Sequence, residues 1–366
     1  MLNCLIYSYS LQFVLMKYLL ILSILISSLV SAELSLYQRG KDYYYGTIVT
    51  EKDYKKAKSA FEYAAKLGDL DAINALGFLY INGKGVEIDD TKGIEYLTKA
   101  AEKGHAKSQY DLGSMYFLGV GVGRNVEAAF NWIKLSAKGG YADAQNNLAS
   151  MYKNGNGVNK NQLLANKWRI AAANSGSSEA QYFVAKAYED AKDFTNALNW
   201  YKKSVSGGST KSKSRLAYFY ENGLAVEKNP KKTFDYYLQA YKEGDEGLGY
   251  KLANMYDYGL GIEIDYKKSH KLYRQSLDAG NLDAYLDIAR HYKNGDGVKK
   301  DLEKSYSFTI AAARKGHEKA QLEVAKLYIN GVGTEKSVRK ARYWLDKLKK
   351  NDNQEARDLL SKLNKR

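Results

Sequence analysis

A tyrosine recurs about every 36 residues, and that recurrence limits the fold more than any other feature of the chain. The series runs Tyr44, Tyr80, Tyr116, Tyr152, Tyr188, Tyr220, Tyr256, Tyr292, Tyr328, with one shorter step of 32 between Tyr188 and Tyr220. A glycine trails each of the first eight, from Gly68 and Gly104 to Gly280 and Gly316, and Asp352 breaks the series at the end. A period in this range belongs to stacked supersecondary units, so length alone does not count the domains.

Each unit reads as two helices. In Ser108-Gln109-Tyr110-Asp111-Leu112-Gly113-Ser114-Met115-Tyr116 the small or apolar residues fall at offsets 0, 4, 5 and 8, one stripe of a 3.6-residue helix. A glycine turn follows, as in Gly83-Lys84-Gly85-Val86 and Gly155-Asn156-Gly157-Val158. Glycine closes a helix because the left-handed conformation costs it little. The second helix has a capping residue in all nine units: Asp53, Asp89, Asn125, Asn161, Asp193, Asn229, Asp265, Asp301 and Ser337. Each such cap is worth ~1 kcal/mol. Pro230, the only proline, follows Asn229 at the position where a helix tolerates it best. Further along come a large side chain (Tyr96, Trp132, Trp168, Trp200, Tyr236, Phe308, Trp344) and a small pair such as Ala100-Ala101.

One such hairpin leaves apolar faces uncovered, and its neighbours must cover them. The expectation is therefore an all-α, right-handed superhelical solenoid of about nine units over residues 33–366, with 355–366 as a C-terminal capping helix. The tyrosine series belongs to its core. The short interval between Tyr188 and Tyr220 predicts a tighter loop rather than a domain boundary.

The pattern resembles the Sel-one-like repeat family, relatives of the tetratricopeptide repeats. The resemblance is carried by Ala144-Gln145, Leu148, Met151-Tyr152, Gly155-Asn156-Gly157-Val158, Trp168, Ala171-Ala172 and Gly176, and by their counterparts over about residues 36–360. It is weakest in the first unit, which has Gly46 but no paired-glycine turn. The resemblance implies an α/α solenoid with a concave groove, and it implies adaptor roles in export, envelope and signalling complexes rather than catalysis.

The first 32 residues differ in kind. Lys17 is their only charge; an apolar run from Tyr18 to Val30 and the small residues Ser31-Ala32 follow, the layout of a secretory signal peptide. Translation starting at Met16 would give that leader its usual form. The expected location is the periplasm of a Gram-negative bacterium, or outside the cell after secretion, with no stable membrane insertion once the leader is cleaved. Cys4, the only cysteine, precedes the cleavage position, so the mature chain has no disulfide and no thiolate site.

Removing residues 1–32 takes one lysine from the net charge of +15, leaving 55 − 41 = +14. The lysines are spread through every unit and read as solvated faces, so no nucleic-acid partner is expected. His105 and His317 share one repeat position, His270 and His291 lie apart, and none of the four has metal-ligand spacing. No cofactor, no metal and no enzymatic activity are expected. The paired-glycine turns join helices and do not match a nucleotide-binding loop, which needs a preceding strand.

A partner site has more support. Offsets −1, 3, 6 and 10 of the first helix lie opposite the inward stripe. In the middle units they supply Phe183, Lys186, Arg215, Tyr218, Lys251, Asn254, Tyr258 and Arg290. Cations and aromatics on consecutive helices would form a shelf for a peptide with acidic groups. The reading is an exported scaffold that binds a protein along this groove, as an envelope or virulence adaptor or as an immunity protein against a secreted antibacterial effector. The alternative is an enzyme or small-molecule binder acting on cell-wall material.

Overall fold

The computed structural model describes residues 36–349 and 353–364. The leader expected over 1–32 lies outside them. Among the described residues the secondary structure is helical throughout, and the helices pair in the predicted order. They divide into two units, 1–181 and 182–366, which meet in sequence inside helix Ser178–Asp190.

In the first unit, helix 36–45 precedes Tyr54–Lys66. Then come the pairs Leu70–Asn82 with Asp90–Glu102, Ala106–Leu118 with Val126–Lys138, and Ala142–Asn154 with Gln162–Asn174. In the second, Ser178–Asp190 pairs with Phe194–Ser206, Thr210–Asn222 with Pro230–Lys242, and Gly249–Tyr258 with Tyr266–Asp278. Ala284–Asn294 with Leu302–Arg314 and Glu318–Asn330 with Val338–Lys349 complete it, before a last helix Gln354–Asn364. The first member of each pair is called its A helix and the second its B helix.

Local chemistry sets the helix ends. All nine predicted caps accept a backbone N–H three residues on, from Asp53 with Lys56 (3.0 Å) to Ser337 with Lys340 (3.3 Å). The A helices end on left-handed glycines such as Gly83, Gly119 and Gly155. The short interval has no such pair. Lys192, at φ 61°, takes the left-handed place there and the loop is tighter, as the missing four residues require. The second glycine of the turn has another reason. A β-carbon on Gly157 would strike the backbone at Val126, and one on Gly297 or Gly333 would strike the backbone at Tyr266 or Leu302, each in the first turn of the preceding B helix.

Packing repeats along each unit. The recurrent glutamine of the A helix donates to a carbonyl near the end of the preceding B helix: Gln109 to Ala101, Gln145 to Ala137, Gln181 to Ala173 and Gln321 to Ala313, at 3.0–3.3 Å. The A-helix tyrosine stacks on the large B-helix residue in Tyr80–Tyr96, Tyr220–Tyr236 and Tyr292–Phe308, with interplanar angles of 10–13°.

The tyrosine series is less uniform than expected. Tyr80, Tyr152, Tyr220 and Tyr328 are buried; Tyr116, Tyr256 and Tyr292 are half-buried, and Tyr188 is exposed. The apolar residue of the glycine turn (Val86, Val158, Val226) packs against the core, in the case of Val158 in one cluster with Tyr152, and the shortened loop after Tyr188 lacks that residue.

Candidate functional site

The eight shelf residues all fall in the second unit, on the A helices Ser178–Asp190, Thr210–Asn222, Gly249–Tyr258 and Ala284–Asn294. The aromatic part is accessible: Phe183 is 38% exposed and Tyr258 is 56% exposed. The charge is not free. Lys186 pairs with Asp190 at 2.6 Å, and Arg215 makes a two-pronged contact with Glu189, one prong at 3.2 Å. Lys251 reaches Glu221 at 3.0 Å, and Arg290 pairs with Asp257 and approaches Asp287 at 3.5 Å. Every cation of the shelf therefore already has a carboxylate, and the preference for acidic ligands suggested by sequence loses its electrostatic basis.

These carboxylates belong to a ladder. On the B helices, Tyr201, Tyr237 and Tyr273 are fully buried at intervals of 36 residues. Tyr201 donates to Glu189 at 2.5 Å and Tyr237 to Glu221 at 2.7 Å. The Tyr273 hydroxyl lies 2.7 Å from Asn254 Oδ1 and 3.2 Å from Asp257 Oδ2. Each rung thus joins a B-helix tyrosine, the acid one residue past the alignment tyrosine, and a cation on the next A helix. Burial, then the adjoining carboxylate, pushes the Tyr201 and Tyr237 hydroxyls far above the usual phenol range, so both stay protonated as donors. Asn254, a shelf residue by sequence, is an acceptor inside this ladder.

The third rung is the most buried. Asp257 is enclosed and accepts from Arg290 and, at 2.8 Å, pairs with His291 Nε2. The His270 ring stacks on His291 at 5.5 Å. Burial, with His291 and Arg274 nearby, lowers His270 to about 4. Two histidines that look unrelated in sequence are therefore neighbours. The signal was present, since Glu189, Glu221 and Asp257 each follow an alignment tyrosine and the three buried tyrosines each sit eight residues past a cap. His105 and His317 cap A helices through Nδ1 and face Asp71 (3.4 Å) and Asp283 (2.9 Å). Among the described residues no cluster of His, Cys, Asp and Glu has the arrangement of a metal site.

The same A-helix offsets in the first unit produce a different surface. Phe78, Asn82, Asp111, Ser114, Asn147 and Ser150 line an open cavity of about 730 Å³ with Met115, Ile133 and Met151 among its apolar residues. Asp111 is its only carboxylate; burial raises its pKa although Asn74 donates to it at 2.8 Å.

Helix pairs repeated in register, with an open face on their A helices and buried ladders between them, define an all-α solenoid protein. The Sel1 repeat model matches nine times in succession, at 34–69, 70–105, 106–141, 142–177, 178–209, 211–245, 250–281, 282–317 and 318–353, and the chain belongs to that family. Among solved structures it is similar to a protective antigen of uropathogenic Escherichia coli strains that displays an SLR fold. That match has 29% identity and a TM-score of 0.58 over 90% of this chain and 72% of the other. A Sel1 repeat protein from Oxalobacter formigenes matches at 24% identity and TM-score 0.44 over 83% and 89% of the two chains. An immunity protein from Pseudomonas aeruginosa matches at 22% and 0.43 over 58% and 81%. No protein of curated function matches the chain. Sel1 repeat proteins are generally non-catalytic scaffolds that bind other proteins, and this chain has that architecture.

Proposed function

We propose that the mature chain is an exported, periplasmic scaffold that binds a protein partner along the A-helix face opposite its inward stripe. The observation that carries this reading is that this one face, at the same offsets in both units, is left open. It forms the cavity beside Phe78 and Asn147 in the first unit, and in the second it presents Phe183 and Tyr258. Aromatic side chains held on rigid helices are suited to anchoring a partner. The leader at 1–32 supports export. Among the described residues no helix is long and apolar enough to cross a membrane.

Photo-crosslinking from Tyr258 and Asn147 in intact cells, with fractionation of a tagged chain, tests both halves. One partner captured from both positions in the periplasmic fraction is the expected result. Retention in the cytoplasm refutes export, and no discrete crosslink refutes the face. Two roles fall within this reading: envelope or virulence adaptor, and immunity protein. Survival of cells expressing a neighbouring antibacterial effector only when this chain is co-expressed selects immunity. A second reading, a binder of cell-wall fragments, draws on the 730 Å³ cavity, whose size suits a small ligand. It requires a melting temperature that rises with fragment concentration and loses that response in Asn147→Ala.

A further inference from the structure

The second unit carries another basic region, and its charges are not balanced. At the caps of several B helices an acid pairs with the lysine three residues on: Asp53 with Lys56 at 3.5 Å, Asp265 with Lys268 at 3.0 Å, Asp301 with Lys304 at 3.5 Å. In the last repeat the cap is Ser337, which accepts the Lys340 backbone N–H but carries no charge. Lys340, like Lys232 beside the neutral cap Asn229, therefore lacks the pairing that holds Lys56, Lys268 and Lys304. Arg314, Arg339 and Lys347 join it around one open concavity of about 560 Å³, and among the described residues none of the four makes an ion pair. Among the described residues no carboxylate lines the concavity.

Three aromatic rings complete the wall. Lys340 Nζ lies 5.3 Å from the Tyr328 centroid, and Lys347 Nζ lies 4.9 Å from the centroids of both Tyr343 and Trp344. Trp344 and Tyr328 are buried, whereas Tyr343 is 57% exposed and offers its ring to a visitor. The arrangement draws on three elements: the end of helix Leu302–Arg314, helix Glu318–Asn330 and helix Val338–Lys349. Gathering four like charges costs folding free energy through mutual repulsion. Four cations gathered at that cost around one concavity, with no carboxylate lining it among the described residues, are the mark of a functional surface.

We propose that this concavity is a recognition site for an acidic segment of the protein partner, carrying two or more carboxylates beside an aromatic or aliphatic side chain. The inference rests on the scaffold reading above and assigns part of the contact to a place outside the A-helix face. Charge complementarity selects the carboxylates. Lys340 and Lys347 are two helical turns apart, ~10 Å along the axis, a span that three residues of extended chain also cover. The arginines supply planar forks for bidentate contact, and Tyr343 supplies the apolar contact. The recessed shape admits protruding side chains and keeps out a flat bilayer, and a bare oxyanion would leave Tyr343 uncovered.

The test uses the full mature chain and a fluorescein-labelled Glu-Glu-Phe-Glu-Glu peptide, followed by anisotropy. The peptide binds saturably, its Gln-substituted version does not, and added salt weakens binding. Lys340→Glu with Lys347→Glu reduces affinity by more than about tenfold, while the charge-matched control Lys211→Glu leaves it unchanged. Should the double variant fail a circular-dichroism check of its fold, Lys347→Gln alone, at an exposed side chain, gives the same direction with a smaller loss. Equal binding of the Gln peptide, pyrophosphate binding as tightly as the peptide, or preferential sedimentation with phosphatidylglycerol vesicles overturns the proposal. A partner crosslinked from Tyr258 and indifferent to the double variant overturns this site alone, and the scaffold reading survives.

Discussion

Eight residues past the B-helix cap, the two units make opposite choices. The first places Phe61, Leu97 and Ile133 there, all buried, before Arg169 in its last B helix. The second places Tyr201, Tyr237 and Tyr273 in its first three B helices, each tied to a carboxylate and through it to a cation of the next repeat, before Thr309 and Leu345 in its last two. One helical pitch thus accommodates a dry seam and a wet one. The dry seam gains from transfer alone and accepts any apolar shape of the right volume. The wet seam stabilises only when every member is satisfied, and it names its neighbours by charge and hydrogen bond.

The largest effect expected is from Asp257→Ala. It strands His291 and takes the nearest carboxylate from Arg290, which keeps Asp287 at 3.5 Å, and the loss of a buried ionic partner costs about 3–5 kcal/mol. Hydrogen exchange should report it in peptides of the second unit while amides between residues 54 and 154 keep their protection, because repeat arrays transmit stability mainly to neighbours. Equal loss in both units would erase the distinction. Leu97→Ala comes next, at about 2–5 kcal/mol from transfer and cavity. Its cost should not change with salt, read from urea unfolding at two ionic strengths; a salt-dependent cost would mean that the first seam is not dry.

Tyr237→Phe is milder, about 1.5 kcal/mol, because Glu221 keeps Lys251 when the hydroxyl goes. A neutral outcome there would show that the tyrosine ring, not its hydroxyl, holds the rung. The smallest effect is in pH. His270 sits at about 4 in the folded chain against 6.5 for the free side chain, so the unfolded chain binds more protons between those values. Its contribution is intact above that window and is lost as pH falls through it. His270→Phe should therefore flatten the decline of melting temperature across that range, and an unchanged slope would remove His270 from the account.

The units, their caps and their turns were readable because each is written in contiguous residues. Asp265 and Gly259 act on amides a few positions away. The charge state of the shelf was not readable from the shelf. Arg215 is neutralised by Glu189, 26 residues earlier, and Arg290 by Asp257, 33 earlier, partners that meet only when one A helix lies beside the next. Burial of the alignment tyrosines held at Tyr80, Tyr152, Tyr220 and Tyr328 and failed at Tyr188, which the shortened turn follows. The basic concavity was not readable for a related reason: Arg314 comes from one helix and Arg339, Lys340 and Lys347 from another, and they meet around one opening only in the folded chain.

The second glycine of the turn has a further consequence. Because Gly157, Gly297 and Gly333 set main chain directly upon main chain, the joint between consecutive hairpins is blind to side-chain identity. Hairpins can then be duplicated, dropped or re-lettered without renegotiating that one contact. A lineage that keeps this hinge of bare backbone can exchange oily interiors for ionic ones one cassette at a time.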